Sequence, residues 1–372
     1  MLTWVEIDSK AIEFNLKQFK KMIGKNRLLM PVIKANAYGH GFLEVAKILD
    51  KNKDADIICV VSLDEAINLI DNNIKKRIMI LSFFEFEKEK IIKAIKNKVI
   101  FPIYSFDYAN KLNEIGEGVG KKVKIHIKVD TGASRVGVLA KDAFDFILKV
   151  KKSKNLEIEG VFSHFASSEE DFRYTKKQKQ IFEKIILKLE KEGAQIPIKH
   201  MACSASSVLY PDTHFNAIRL GLSLYGLHAT TKSKNKLELK PVLSWYTKII
   251  QIKEVPAGTK IGYGGTYITK ENTKLGILPV GYWDGYDRGL SNRSKVLVNG
   301  KKCPVLGHIC MNLCMISLNG VEGVKTGNKV VLLGANKKNK TAITTEDLAK
   351  WADTINYEVV NRINPSLPRI LK

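Results

Sequence analysis

The chain has 372 residues, 45% hydrophobic and 27% charged, an ordinary globular composition that excludes a disordered chain, a collagen-like repeat and a small disulfide scaffold. At roughly 150 residues per domain, two domains are predicted. The formal net charge of +23 raises a nucleic-acid partner, but 52 of the 61 basic residues are lysines spread through amphipathic segments, and no helix-turn-helix, zinc-finger or RNA-recognition signature is present, so none is expected.

The N-terminal stretch MLTWVEIDSKAIEFNLKQF lacks the basic region, apolar run and small-residue cleavage site of a signal peptide. No run approaches the ~20 apolar residues of a membrane span. From here to about residue 230, β-branched apolar runs alternate with amphipathic segments. Strands are predicted at Leu28–Ile33, Ile57–Ser62, Ile78–Ser82, Val99–Tyr104, Val123–Asp130, Ile158–Ser163, Ile198–Ala202 and Phe215–Leu220. Helical patterns lie between them at Glu44–Leu49, Leu63–Ile70, Phe86–Ile95, Tyr108–Ile115, Lys141–Val150 and Tyr174–Glu192. The strands are largely apolar, as in a parallel sheet covered on both faces. Eight strand–helix units point to a (β/α)8 barrel of the TIM type.

The polar run TKSKNKLELKP after Thr230 reads as a linker and places the division between residues 1–235 and 236–372. Beyond it, Trp245–Val255, Lys274–Pro279, Ser294–Val298, Pro304–Ile309, Cys314–Leu318 and Asn328–Leu333 read as short strands between glycine and asparagine turns. Thr345–Ala352 and Ile355–Val360 look helical. The fold class expected is α/β plus β, a barrel followed by a β-rich domain. The five cysteines form no C-x-x-C pair, so neither a zinc site nor a disulfide framework is expected, no metal is assigned, and free thiols fit a cytoplasmic protein.

Barrel enzymes carry their chemistry at the C-terminal ends of the strands. The first strand runs out through Lys34-Ala35-Asn36-Ala37-Tyr38-Gly39-His40-Gly41. A lysine directly after a buried run is partly desolvated, which lowers its pKa and frees its amine for a Schiff base; a snorkelling surface lysine is the alternative. In the alternating strand VKIHIKVD, Lys124, His126, Lys128 and Asp130 share the inward side. An inward Lys128 must be neutralised, either in an ion pair with Asp130 or by carbamylation into an anion that would hold Arg135. His164 follows the sixth strand as an acid–base or hydrogen-bonding candidate. Ser204 after the seventh strand and Arg219-Leu220-Gly221-Leu222 at the eighth occupy the two positions where barrels bind phosphate. A lysine, a phosphate cradle and a histidine on one rim suggest pyridoxal 5′-phosphate.

At this point VIKANAYGHG, KVDTGASRVG, SHFASS, RLGLSLYG, IGYGGTY and TINYEVVNRINPSLPR together resemble the alanine racemase family along essentially the whole chain. The resemblance implies a cytoplasmic homodimeric isomerase that interconverts L- and D-alanine with pyridoxal phosphate by two-base proton transfer, supplying D-alanine for cell-wall synthesis. It implies that Lys34 bonds the cofactor and is the base on one face, and that Tyr263 is the base on the other, contributed across a head-to-tail dimer. Arg219 resembles the family's arginine beside the pyridine nitrogen, with His164 as its neighbour. Tyr38, Ser204, Gly221, Leu222 and Tyr357 match phosphate-binding positions, Arg135 and the Met311 backbone the substrate-carboxylate site, and Lys128 a lysine often carbamylated. The chain departs from the family pattern at Cys203, usually Asn, at Asn312, usually Asp, at His308, usually Arg, at Trp283, usually smaller, and at Ala133-Ser134, often Met-Gly.

Rival readings stay open on sequence. A barrel decarboxylase would put an acid where Arg219 stands. A non-catalytic pyridoxal-phosphate binder would lack residues 240–372. A racemase of serine or of broader specificity would share every motif.

Overall fold

The structure is a computed structural model that describes residues 1–336 and 341–372. The chain forms two compact units, one made of Met1–Lys10, Ala35–Glu44 and Pro241–Lys372, the other of Ala11–Lys34 and Val45–Lys240.

The second unit contains all eight expected strands, with ends moved by at most two residues: Leu28–Pro31, Ile57–Val60, Arg77–Ile80, Phe101–Ile103, Val123–Asp130, Leu156–Phe162, Ile198–His200 and Ala217–Leu220. Each pairs in parallel with the next. The single bridges Val32–Cys59 and Met79–Ile100 join the remaining neighbours. Ala217–Leu220 returns to Leu28–Pro31 in register, and the ring closes as a parallel barrel. Most strand interiors are buried on both faces, which is why their sequences read as apolar runs; Val123–Asp130 and Leu156–Phe162, with Lys124, Glu157 and Glu159, are the exceptions.

The helices start where side chains can take an orphan amide. Ser62, Ser105 and Asp171 cap the helices Leu63–Asp71, Phe106–Gly118 and Phe172–Lys191 by accepting from Glu65, Tyr108 and Tyr174 N. In the longest helix Phe182, Ile185, Ile186 and Leu189 face inward, each contributing roughly 1.5–3 kcal/mol of burial. Lys176, Lys177, Lys184 and Lys188 stay in solvent on the opposite side, and such faces carry the basic excess.

The first unit is built on a ten-stranded sheet. Its order is Gln251–Val255, Thr273–Leu278, Cys314–Ser317, Lys301–Leu306, Lys295–Val298, Lys329–Asn336, Leu243–Lys248, Trp4–Ile7 and Arg369–Leu371, with Thr341–Ile343 added to Lys329–Asn336. The single strand expected at Trp245–Val255 is two, because the chain changes partner at Ile249-Ile250. Ile249 N donates to Asn328 O, and Ile250 N to Ile277 O. Trp4–Ile7 was not anticipated, and it lies here because it pairs with Leu243–Lys248 on one side and Arg369–Leu371 on the other. The units are therefore discontinuous in sequence, unlike the uninterrupted 1–235 and 236–372 segments expected. The linker begins as a helical turn, Thr231–Lys234, capped by Thr230. Among the described residues no helix is long and apolar enough to cross a membrane.

Candidate active site

In the barrel unit, Lys34, Lys128, Arg135, His164, Ser204 and Arg219 all follow or end strands at the C-terminal rim. Arg219 is 5% exposed, and its guanidinium is held by hydrogen bonds on both Nη atoms. Its Nη1 donates to His200 Nδ1 at 2.6 Å and His200 O at 3.4 Å. Its Nη2 donates to Ser163 O at 2.7 Å, Met201 O at 3.1 Å and His164 Nδ1 at 3.2 Å. Burial, and after it the Arg219 charge, hold His164 well below the usual imidazole range, so the ring is neutral at pH 7. An arginine has no acceptor, so His164 Nδ1 accepts and its proton resides on Nε2.

Lys128 is buried beneath this cluster. Its Nζ donates to Leu81 O at 2.9 Å and lies 5.5 Å from the centre of the Phe162 ring. Burial, then Arg219, Arg135 and Lys34, push its pKa down to about 8, with Asp130 opposing. The ion pair with Asp130 offered as one alternative is not formed. Asp130 instead accepts from the amides of Gly132, Ala133, Ser134 and Arg135 at 2.8–3.2 Å and so shapes the loop that carries Arg135. Burial works to raise the Asp130 pKa, but these amides outweigh it and lower it. Burial and Arg135 likewise lower the pKa of Lys34, against Glu65. Lys128 is thus repelled by Arg219, Arg135 and Lys34, and Lys34 by Arg135, with Asp130 acting against the first and Glu65 against the second. Such a donor set fits an anionic ligand.

Ser204 opens the short helix Ser204–Leu209, and its Oγ accepts from Gly221 N at 3.1 Å and Ser223 N at 3.3 Å. The loops after the seventh and eighth strands are thereby joined. Beside them Cys203 Sγ lies 3.3 Å from Ser168 Oγ.

Immediately after Lys34 the backbone turns left-handed: Ala35, Asn36, Ala37 and Tyr38 have φ of 52–54°, and Gly39 has 81°. At about 1–2 kcal/mol per L-residue this run costs roughly 4–8 kcal/mol. It persists because its surroundings over-determine it. Gly39 N donates to Ala35 O, Gly41 N to Asn36 O and Phe42 N to Asn36 Oδ1. A Cβ on Gly39 would lie 1.9 Å from Val360 O, and Gly39 O accepts from Arg369 Nε. The turn places the Tyr38 ring 6.4 Å from that of Tyr357, on the helix Asn356–Asn361.

Tyr263, in the same unit, sits in the loop Gly262–Gly265 and is 75% exposed. Tyr282, Trp283, Met311 and Leu313 are exposed too. Met311 O and Cys310 O accept from Trp283 N and Tyr282 N, which ties this loop down. Asn312 is exposed and His308 flanks the Tyr263 loop.

Sequence reasoning missed His200, which touches Arg219 most closely, and gave His126 no role beyond its inward side. Both were visible as histidines on alternating apolar strands. Among the described residues no group of three or more His, Cys, Asp or Glu side chains is placed to hold a metal ion.

Family models described as alanine racemase N-terminal and C-terminal domains match residues 7–229 and 242–371. An alanine racemase of Methanococcus maripaludis is 40% identical over 370 residues, covering 99% of this chain and 98% of that protein. The solved alanine racemase of Clostridium difficile 630 superposes with a TM-score of 0.92 at 35% identity, covering 100% of this chain and 96% of that one. The Bacillus anthracis alanine racemase solved with bound L-Ala-P gives a TM-score of 0.89 at 33% identity, covering 100% and 95%. With two successive domain matches and a relative of this identity along its whole length, the chain belongs to the alanine racemase family.

Proposed function

We propose that this isomerase, which interconverts L- and D-alanine, does so with pyridoxal 5′-phosphate, with Lys34 bonded to it and Arg219 facing its ring nitrogen. The observation that carries the reading is the basic set at the C-terminal rim, Lys34, Lys128, Arg135 and the buried, hydrogen-bonded Arg219, which answers to an anionic ligand. When bound, the cofactor acidifies the α-proton of the amino acid attached to it.

The chain's own groups supply the rest. Burial and the Arg135 charge keep Lys34 less basic than an exposed lysine, so its amine is available to take the α-proton on one face. Tyr263 serves the opposite face, and its exposure suits a residue offered to a second subunit of a homodimer. Arg219 presents only donors that do not release a proton at physiological pH, so it binds without acting as an acid. Ser204, whose oxygen accepts from Gly221 N, keeps its hydroxyl proton for the cofactor's phosphate, and the Leu222 amide is the backbone donor beside it, with Gly221 and Leu222 at the family's phosphate-binding positions. Tyr38 and Tyr357 stand at the family's phosphate-binding positions. Arg135 and the Met311 backbone bind the substrate carboxylate, and carbamylation of Lys128 would give Arg135 an anionic neighbour.

The five cysteines are free thiols, which supports a cytoplasmic location, and D-alanine for cell-wall synthesis is the product on this reading. Borohydride reduction of the loaded enzyme, followed by peptide mapping, should place the pyridoxyl group on Lys34. Any other lysine would overturn the assignment. Incubation with L-alanine in deuterium oxide should yield D-alanine labelled at Cα, and a kcat/KM for serine above that for alanine would favour a serine racemase.

A further inference from the structure

A chain of buried groups runs from Arg219 through the barrel interior. Arg219 Nη1 lies 2.6 Å from His200 Nδ1 and can only donate. His200 Nδ1 therefore accepts, and the proton of the neutral ring is on Nε2. That nitrogen is 2.9 Å from His126 Nδ1, which must accept in turn. The His126 proton is then on Nε2, 3.8 Å from Glu159 Oε2, too long for a hydrogen bond but close enough for a partly buried carboxylate to act on the N–H through its charge. Both imidazoles are fully buried, and burial first of all lowers their pKa values, so both are neutral at pH 7.

The strands are shaped around this chain. Ile125 pairs with Ile158 but His126 pairs with Gly160, so Glu159 is the additional residue of a bulge, the device that re-aims a side chain. A Cβ at Gly160 would come within 2.5–2.7 Å of three atoms of the His126 ring, so glycine makes room for it. Phe162 stacks on His200, with centroids 4.9 Å apart and planes 2° from parallel. The groups facing Glu159 are His126, Arg77 and Lys124, the last donating to Oε1 at 2.9 Å. Burial works to raise the pKa of this carboxyl, but His126, Lys124 and Arg77 outweigh it and hold it down to about 2.

We propose that Glu159 is a positioning residue for Arg219, acting through His126 and His200: its carboxylate stabilises one tautomeric order in the relay, and that order fixes the guanidinium. The catalytic consequence rests on Arg219 facing the cofactor; the relay itself does not.

With seven histidines in the chain, selective 15N-histidine labelling makes both rings observable. In cofactor-free protein, long-range 1H–15N spectra should show His126 and His200 as neutral Nε2–H tautomers. Glu159→Gln should speed solvent exchange of the His200 Nε2 proton at least ~10-fold and, in the loaded enzyme, lower kcat ~10-fold with KM for alanine held within about twofold. Glu159→Asp should give intermediate exchange and recover most of kcat, which also serves if Glu159→Gln folds poorly. Glu157→Gln, exposed on the same strand, should match wild type in both. An Nδ1–H tautomer in either ring, or unchanged His200 exchange in both Glu159 variants, overturns the relay. Faster exchange with unchanged kcat overturns the positioning role. Pyridoxyl label on a lysine other than Lys34 would sink the cofactor reading while leaving the exchange result standing.

Discussion

Lys128 offers the sharpest test of the site's electrostatics, because its burial makes the native state bind protons less readily than the unfolded chain. The pKa falls from 10.5 to about 8 on folding, mainly through burial and then through Arg219, Arg135 and Lys34. Below pH 8 the amine is charged in both states, and the native state bears the whole penalty, roughly 3 kcal/mol. Between pH 8 and 10.5 the folded protein releases the proton while the unfolded chain keeps it, so the penalty fades and stability rises with pH. Above 10.5 both states are neutral and no penalty is left. Lys128→Met removes the charge and keeps most of the volume. It forfeits the hydrogen bond to Leu81 O, about 1 kcal/mol, and leaves a net gain near 2 kcal/mol at pH 7. The assay is thermal unfolding of both proteins, cofactor-free and in buffers purged of carbon dioxide, at pH 7 and pH 10. The variant should melt several degrees higher than wild type at pH 7, and the gap should close or reverse at pH 10. A variant less stable at pH 7, or a gap independent of pH, would refute the reasoning. Readmitting bicarbonate should raise the melting temperature of wild type alone, since only a neutral lysine amine takes up carbon dioxide.

Gly39→Ala adds a Cβ 1.9 Å from Val360 O at a φ of 81°, and should cost more than ~3 kcal/mol, read as a lowered melting temperature; an unchanged one would show that the turn yields freely. Ser204→Ala strands the buried amides of Gly221 and Ser223, for a loss of roughly 2–5 kcal/mol in chemical denaturation, and a loss below 1 kcal/mol would mean that both find other acceptors. Tyr263→Phe, at an exposed side chain, should leave melting unchanged but slow α-proton exchange from one enantiomer more than ~100-fold; equal exchange from both would remove Tyr263 as a base.

The barrel was legible because most of its strands are largely apolar and amphipathic segments alternate with them. The residues at strand ends followed from the barrel's geometry, and the resemblance added their roles. What escaped was pairing over long separations. Trp4–Ile7 is four residues long, and its partners lie beyond residue 242, so no local alternation announces it. Lys128 and Asp130 stand two apart on one strand face, which invites an ion pair. Four successive amides took the carboxylate instead, a competition that side-chain periodicity does not encode. His200 escaped because its neighbour Arg219 lies on another strand, nineteen positions away.

The place of Trp4–Ile7 between Leu243–Lys248 and Arg369–Leu371 bears on how the protein is made. Ser9 N and Oγ both donate to Lys372 O, and Lys372 N donates to Ile7 O, so Trp4–Ile7 is zipped to a segment about 363 positions further along the chain. While the chain is growing, Trp4–Ile7 has both edges open, a condition that invites pairing with a neighbouring nascent chain. The barrel strands, each closed by a partner within the first 220 residues, face no such wait. Completion of the sheet therefore waits until Arg369–Leu371 has been made, and removing that strand would leave Trp4–Ile7 with one open edge.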